Sequence, residues 1–236
     1  DNHVIIDQWM VDYDWNRKYY LFPVASHKVS TPISQMEKLD RGVVALPAAD
    51  KGIFVSWRLL GTDGKNVCFD VERDGKVIAH HLKLTNYIDR KGSAASSYRI
   101  ITYQDEPMMD APAEREVSKA VKPWKDLYRS MPINRPAGGV TPDGKSYEYT
   151  PNDCSVGDVD GDGEYEIILK WDPTNAHDNS HDGYTGEVIF DCYKLDGTQL
   201  WRINLGRNIR AGAHYTQFLV YDFDGDGKAE MICKTS

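Results

Sequence analysis

The chain has 236 residues, of which 41% are hydrophobic and 27% are charged, so it can bury a core in one or two domains. Its net charge of −8 and its lack of a lysine or arginine run argue against a nucleic-acid partner. No apolar run approaches the about 20 residues of a membrane span. No signal peptide is visible at Asp1, which suggests a processed or trimmed chain.

The first half of the chain predicts an N-terminal extension followed by a small all-β domain. Residues 1–38 carry aromatic side chains without clear periodicity, and we expect an extended segment laid over a larger body. Residues 39–118 alternate in the manner of short strands, and Asp-Gly or Lys-Gly turn signals separate these runs at 63–64, 74–75 and 91–92. This spacing predicts a β-sandwich similar to a fibronectin type III domain.

The second half predicts an irregular linker and then the start of a β-propeller. Residues 119–150 are rich in proline and glycine, and residues 151–236 return to short strands, about four per repeat unit. A propeller blade buries its faces only against neighbouring blades, so we expect an isolated chain to expose apolar side chains and to aggregate or bind a partner. The residues expected on these exposed faces are Ile167, Leu169, Ile189, Phe190, Trp201, Phe218 and Val220.

Residues 158–166 read D-V-D-G-D-G-E-Y-E, a pattern that predicts a calcium loop. A hard cation takes six to eight oxygens at about 2.3–2.6 Å, and alternating aspartates supply three of them if the chain curls sharply. Gly161 and Gly163 permit that curl. The backbone carbonyl of Glu164 and the carboxylate of Glu166 would add further ligands.

The pattern recurs at residues 222–230, which makes a simple solvated turn a poor explanation. An EF-hand would need a bidentate glutamate at position 12, but Leu169 and Cys233 stand there, and the following runs indicate strands. The predicted ligands for Ca²⁺ are Asp158, Asp160, Asp162, Glu164, Glu166, Asp222, Asp224, Asp226, Lys228 and Glu230. Because cytosolic calcium is scarce, these loops favour a secreted, periplasmic or cell-surface location in a bacterium.

The cysteines and the paired histidines carry no metal-binding signal in the sequence. The cysteines have no ligand spacing; a disulfide stays possible, but buried thiols are favoured. His80 and His81 lie at a predicted strand end, where such a pair is typical of surface. The four cysteines are Cys68, Cys154, Cys192 and Cys233.

Several long stretches resemble the family 11 polysaccharide lyases, the rhamnogalacturonan lyases. The stretches are GIFVSWRLLGTDGK, PNDCSVGDVDGDGEYEIILKWDP, HDGYTG, YKLDGTQLWRINLGRNIRAGAHYTQF and VYDFDGDGKAEMICKTS, and the likeness covers about residues 42–236. It implies a calcium-dependent, eight-bladed propeller that cleaves rhamnogalacturonan I. This chain resembles only the N-terminal part, so the remaining blades would lie in the same polypeptide or in a second chain.

The chemistry that the resemblance implies is β-elimination at the rhamnose–galacturonate bond. A base removes the C5 proton of the galacturonate, and a cation on its carboxylate stabilises the developing charge. The catalytic candidates are Lys170, His214 and Lys234, and the substrate-binding candidates are Asn152, Asp172, Arg210 and Tyr215. The calcium loops are assigned a structural role, because their own oxygens supply a full ligand set.

Two other classes of protein use acidic loops of this kind. A non-catalytic calcium propeller for carbohydrate binding or adhesion has the same loop spacing. Dockerins carry paired loops too, but on helices and much closer together. The long loops at residues 177–186 and 206–218 favour the lyase, because an adhesion blade does not need them.

Overall fold

The computed structural model describes residues 37–105, 115–178, 180–212 and 214–235, together with the backbone of three N-terminal strands. Every regular element in this described part is a β-strand, which confirms the all-β prediction. Within it, no helix is long and apolar enough to cross a membrane. The chain divides into a unit of residues 1–34 and a unit of residues 35–236.

The first unit is a three-stranded antiparallel sheet in the order β1-β2-β3. Its strands are β1 (His3–Ile6), β2 (Trp9–Tyr13) and β3 (Tyr19–Pro23). The aromatic residues Trp9, Tyr13, Tyr19 and Tyr20 therefore lie in paired strands, whereas Trp15 lies outside the described residues. The extended segment expected here is a small meander.

The second unit begins with seven strands in two sheets, of order β4-β5-β8 and β10-β9-β6-β7. The strands are β4 (Val44–Pro47), β5 (Ile53–Ser56), β6 (Val67–Arg73), β7 (Lys76–Leu82), β8 (Asn86–Asp89), β9 (Tyr98–Gln104) and β10 (Glu116–Val117). One hydrophobic core joins both sheets, with Val55 and Trp57 from one side and Phe69 and Ile100 from the other. Alternation along β6 turns Cys68 and Asp70 away from this core.

The segment predicted as an irregular linker is packed, and it contains a short hairpin. Strands β11 (Gly139–Val140) and β12 (Ser146–Tyr147) pair in antiparallel fashion. Met131 and Tyr147 pack against the next sheet, and the Asn134 backbone N–H donates to the Tyr193 hydroxyl at 3.0 Å. The segment is ordered because it covers a neighbouring sheet face.

The next sheet has the order β13-β14-β15-β16, and a separate pair β17-β18 follows it. The strands are β13 (Tyr149–Gly157), β14 (Glu166–Pro173), β15 (Ile189–Tyr193), β16 (Gln199–Asn204), β17 (Phe218–Tyr221) and β18 (Glu230–Cys233). Among the strands expected from the sequence, the first of this region begins at Glu166, and the β17 run is the fourth strand of the first predicted blade. Instead β13 is the first strand of the sheet, and β17 opens the next sheet.

The apolar faces of the sheet β13-β14-β15-β16 are covered more fully than the sequence suggested. Leu169, Ile189 and Phe190 were expected at the surface, but all are buried. The 131–149 segment packs over one side, and β17 and β18 pack over the other. The apolar side chains that are exposed here lie mainly on the last strands, namely Leu200, Ile203, Leu219, Tyr221, Phe223 and Ile232.

Candidate functional site

The first acidic loop connects β13 to β14 and wraps around the carboxylate of Asp158. The backbone N–H groups of Gly161, Asp162 and Gly163 donate to this carboxylate at 2.7, 3.1 and 2.9 Å. Gly161 and Gly163 have φ of +80° and +89°, which only glycine adopts without strain. Local sequence therefore dictates the tight curl that brings the acidic side chains together.

The strand-side glutamate completes this loop. The Val159 N–H donates to Glu166 Oε2 at 3.0 Å, and Asp158, Asp160 and Glu166 each offer an oxygen within 4.8 Å of the others. Burial raises the pKa of Glu166, and the nearby carboxylates of Asp160 and Asp162 raise it further. The loop concentrates negative charge that a cation would offset.

The second loop, at residues 222–230, repeats this geometry closely. Gly225, Asp226 and Gly227 donate to the Asp222 carboxylate at 2.7, 3.1 and 2.9 Å. Its glycines have φ of +76° and +94°, and its strand-side glutamate accepts a backbone N–H at 3.0 Å. Asp222, Asp224 and Glu230 likewise bring oxygens within 4.8 Å of one another. Two loops far apart in sequence thus form the same oxygen-rich nest.

Residues near the seven-stranded region hold the first loop in place. The Asp40 N–H donates to the Gly163 carbonyl at 2.8 Å, and the Asp158 N–H donates to Glu37 Oε1 at 3.1 Å. The Arg58 guanidinium lies 4.3 Å from the centre of the Tyr165 ring. The loop therefore joins two sheets of this unit.

The sequence did not indicate Lys194, which places its ammonium among the carboxylates of the first loop. Its Nζ lies 2.6 Å from Asp160, 2.7 Å from Asp162 and 3.7 Å from Glu166. Hydrogen bonds to Asp160 and Asp162 raise the pKa of Lys194. A positive charge at this point shows that the oxygens converge where a cation can be held.

A β-bulge lies about one strand length from this loop. In the pairing of β13 with β14 the register shifts between Pro151 and Cys154, so Asn152 and Asp153 stand opposite Lys170. Thr150 pairs with Asp172 beside them. Bulges often re-aim side chains next to active sites. The sequence predicted Asn152, Lys170 and Asp172 as one site, and the structure brings them together.

The side chain of Lys170 is only 2% exposed, so it is not a solvated lysine at a strand end. Its Nζ donates to the Tyr215 carbonyl at 3.0 Å and lies 4.0 Å from Asp153 Oδ2. Asp172 Oδ1 is buried and has no hydrogen-bond partner among the described residues. Burial raises the pKa of Asp172, Lys170 opposes that rise and Asp153 adds to it. Buried charges with so few partners are typical of functional sites.

A cavity of about 270 Å³ is lined in part by Tyr215, whose carbonyl accepts the Lys170 hydrogen bond, and it brings three further predicted residues together. Its lining residues are Asn208, Ile209, Arg210, Tyr215, Thr216, Lys234 and Thr235. Lys234 is exposed at its rim, unlike its buried counterpart Lys170. Thr216 has a φ of +52°, and its buried hydroxyl has no partner among the described residues.

Two of the predicted residues contact the loop at residues 177–181. The Arg210 guanidinium donates to the carbonyls of His177, Asp178 and His181, so it holds that loop in place. His214 is 80% exposed, with Nε2 3.8 Å from the Asp178 carboxylate. The structure therefore gives Arg210 a supporting position and leaves His214 at the surface.

The polar loop at 172–186 also contributes residues that the sequence did not single out. His177 Nε2 and Asn175 Nδ2 are buried and unpartnered among the described residues. Gly212 lies so close that an added Cβ would meet the Tyr215 ring at 2.7 Å and the His177 carbonyl at 3.0 Å. The sequence predicted such a close approach at Gly212. The length and polarity of the loop were the only signals for its histidine and asparagine.

The fold and these residues define an all-β protein with two matching acidic loops and a separate cavity lined by Arg210, Tyr215 and Lys234. Residues 34–124 match the model of the rhamnogalacturonan I lyase β-sheet domain, and residues 128–236 match that of rhamnogalacturonan lyase family 11, C-terminal domain. The chain therefore belongs to the family 11 rhamnogalacturonan lyases.

Curated relatives and solved structures agree with this assignment. The chain is 59% identical over 203 residues to rhamnogalacturonan endolyase YesW and 56% identical over 204 residues to rhamnogalacturonan exolyase YesX, both from Bacillus subtilis. Each match covers 86% of this chain and 32% of the relative, so the chain spans about a third of their length. The structure superimposes on crystal structures of YesX and YesW with TM-scores of 0.78 and 0.77, covering 33% and 34% of those chains.

Proposed function

We propose that this chain is part of a lyase that cleaves the rhamnose–galacturonate bond of rhamnogalacturonan I by β-elimination. The observation that carries the proposal is buried Lys170 beside the unpartnered carboxylate oxygen of Asp172, within a chain of this family. The product would be a 4,5-unsaturated galacturonate end. The relatives are named as an endolyase and an exolyase, and both names fit this chemistry.

In this proposal each polar residue has a separate task. Asn152 in the bulge and Asp172 hydrogen-bond to sugar hydroxyls, and the Lys170 ammonium favours the charged form of Asp172 against the effect of burial. Lys234, exposed at the cavity rim beside Tyr215, offers positive charge to the galacturonate carboxylate and so stabilises the carbanion-like transition state. His214 is the candidate base that this chain offers, because its ring is free to approach substrate.

We expect Asp172→Asn and Lys170→Met to lower kcat/KM about 10- to 100-fold in the full polypeptide in which this chain occurs. A hydrogen bond to a charged group is worth about 1.5–3 kcal/mol, which corresponds to that loss. The assay follows the ultraviolet absorbance of the unsaturated uronate product. Exposed Asp182→Asn serves as the matched control.

Three outcomes separate the readings of this experiment. Loss of activity with an unchanged melting temperature supports contact with substrate, whereas equal losses of activity and stability make these residues structural supports. A wild-type polypeptide that binds rhamnogalacturonan I without forming an unsaturated product would favour the non-catalytic, carbohydrate-binding propeller. The same assay on His214→Ala tests the base.

We also propose that both acidic loops hold Ca²⁺ in a structural role. The oxygens of Asp158, Asp160 and Glu166 converge within 4.8 Å, and hard cations prefer such all-oxygen sites. Asp162 and the Glu164 carbonyl complete the proposed set in the first loop, and Asp226 and the Lys228 carbonyl do so in the second. When bound, the ion would neutralise the charge of each loop.

Lys194→Met should tighten Ca²⁺ binding at the first loop several-fold, because the wild-type ammonium must leave the carboxylates before the ion enters. Without calcium, Lys194→Met should melt at a lower temperature than wild type, because it has lost the ion pairs of Lys194. Calcium should therefore raise the melting temperature of the variant more than that of wild type. Calorimetric titration with Ca²⁺ measures this. Lys119→Met is the control, since Lys119 pairs with the outward Glu164 side chain at 3.0 Å rather than with a converging carboxylate of the loop. Equal affinities in wild type and Lys194→Met would contradict the competition.

The finer fold and the location are proposals of the same kind. We propose a fibronectin-III-like sandwich for β4–β10, supported by the three- and four-stranded sheets around one core, and a first propeller blade for β13–β16. Further blades, in the same polypeptide or in a second chain, would cover the exposed apolar residues of β17 and β18. Secretion or exposure at the bacterial surface would supply calcium to the loops and would bring the protein into contact with the pectic substrate.

A further inference from the structure

The outer face of the four-stranded sheet that contains β6 carries a second, chemically different cluster of metal-ligating side chains. Cys68, His81 and Asp105 bring Sγ, a ring nitrogen and a carboxylate oxygen within 4.8 Å of one another. Nothing in the proposed lyase chemistry uses these residues. We propose that they form a binding site for Zn²⁺ or a similar borderline-soft divalent metal, with three protein ligands and an open fourth position.

The donor set separates this site from the acidic loops. Thiolate, imidazole and carboxylate together are ligands of zinc, whereas calcium requires oxygen alone. Cys68 is fully buried although it faces away from the hydrophobic core, because the side chains on the outer face cover it. His81 and Asp105 are about half exposed, with side chains 52% and 47% accessible, so an ion can reach the cluster from solvent.

The distances fit a tetrahedral ion with little adjustment. His81 Nε2 lies 3.9 Å from Cys68 Sγ and 3.1 Å from Asp105 Oδ2. Zinc bonds of the usual length at tetrahedral angles would place nitrogen about 3.6 Å from sulfur and about 3.3 Å from oxygen. These two edges therefore need to change by only a few tenths of an ångström, and the third, from sulfur to carboxylate oxygen, lies within 4.8 Å. The same ring nitrogen faces both partners, as a shared ion requires.

The sheet fixes His81 in this position from behind. A bulge in the pairing of β6 with β7 places Asp70 opposite His80 and His81, and His81 has a left-handed φ of +57°. The backbone N–H of His81 donates to the buried Asp70 Oδ1 at 2.9 Å, and the Tyr103 hydroxyl donates to the same oxygen at 3.0 Å. Strained residues persist only where their surroundings hold them, and here a buried carboxylate aims the histidine at the cysteine.

Lys83 is the group that the metal would replace. Its ammonium lies 3.4 Å from Asp105 Oδ2, and its half-exposed side chain can swing into water. The Cys68 thiol also lies 3.6 Å from the Asn66 carbonyl, to which it donates. Binding would release the thiol proton to solvent, leaving a thiolate bound to the metal.

The test titrates Zn²⁺ and Co²⁺ into the calcium-saturated full polypeptide after removal of transition metals with a chelator. We expect one equivalent of either ion to bind, and Co²⁺ to give the thiolate charge-transfer band that marks cysteine ligation. Asp105→Asn and His81→Asn should weaken binding at least about tenfold. Asparagine is chosen at His81 because it tolerates a left-handed φ. Lys83→Met should tighten binding several-fold.

The controls are neighbours outside the cluster. Exposed His80→Ala and exposed Cys154→Ser should bind as wild type does. Cys68→Ser should abolish the charge-transfer band. Its melting temperature, measured with calcium present and transition metals removed, should stay close to that of wild type. Absence of stoichiometric binding, a band that survives Cys68→Ser, or equal losses in Cys154→Ser would overturn the proposal. Because lyase activity is not the readout, failure here leaves the proposed function untouched.

Discussion

Replacement of Asp191 by alanine is expected to lower the free energy of unfolding by about 3 kcal/mol, because it removes the carboxylate that ties three strands together. Asp191 on β15 is fully buried and accepts hydrogen bonds from Trp171 Nε1 at 2.7 Å and the Tyr193 hydroxyl at 2.6 Å. Arg202 on β16 adds two bonds of 2.7 Å. Alanine would leave these donors unsatisfied, although Arg202 keeps partial access to water, which holds the loss near the lower end of the usual range.

Urea unfolding with and without the substitution measures this loss, and Asp191→Asn should give an intermediate value because it keeps one acceptor. Exposed Asp126→Asn is the matched control and should stay within about 0.5 kcal/mol of wild type. If Asp191→Ala were as mild as the control, the buried network would contribute nothing to stability.

The ion pair of Asp191 with Arg202 predicts how the stability of the fold depends on pH. Burial tends to raise the pKa of Asp191, but Arg202 and the two neutral donors outweigh it, so the pKa lies below its ordinary value. A lowered folded pKa contributes stability above the unfolded value of about 3.9 and loses it as the pH falls through the folded pKa. The stability difference between wild type and Asp191→Ala should therefore shrink below about pH 4.

The acidic loops were predictable because every determinant is local. Asp158 and the two glycines that curl around it lie within six residues, so the sequence alone specifies the nest. The second loop repeats the same spacing and adopts the same bonds. Strands with alternating apolar residues, such as β5, were predictable for a similar reason.

Strand β13 was missed because its sequence lacks the pattern that marks a half-buried strand. Residues 151–153 are polar or proline and are exposed, and a bulge interrupts their pairing. The pairing energy comes from β14, whose buried residues include Ile168 and Trp171. Tertiary context therefore decided this strand, and with it the position of Asn152.

Clusters made of distant residues could not be predicted from spacing. Lys194 reaches the first loop from the far end of β15, and Cys68 meets His81 and Asp105 because β6 pairs with both β7 and β9. Burial of Lys170 depends on coverage by the Tyr215 segment, which follows much later in the chain. A strand-end lysine in isolation predicts solvation instead.

Removal of calcium is expected to lower the melting temperature sharply, because ions that bind only the folded state stabilise it by RT ln(1 + [Ca²⁺]/Kd). At a free calcium concentration about a thousandfold above Kd, each loop would contribute about 4 kcal/mol. Asp160→Asn removes one converging carboxylate, and we expect it to forfeit about 1–4 kcal/mol of the stabilisation at the first loop. Asp224→Asn should act equally at the second loop, given its matching geometry.

Differential scanning calorimetry with excess Ca²⁺ and with a calcium chelator measures these effects. In chelator Asp224→Asn should melt close to wild type, whereas Asp160→Asn should melt slightly lower, because it also loses the 2.6 Å ion pair with Lys194. Exposed Asp196→Asn, in a turn outside both loops, controls for the loss of one negative charge and should keep the full calcium response. A wild-type melting temperature indifferent to chelator would rule out a structural role for calcium, and the paired acidic loops would then need another cation or another purpose.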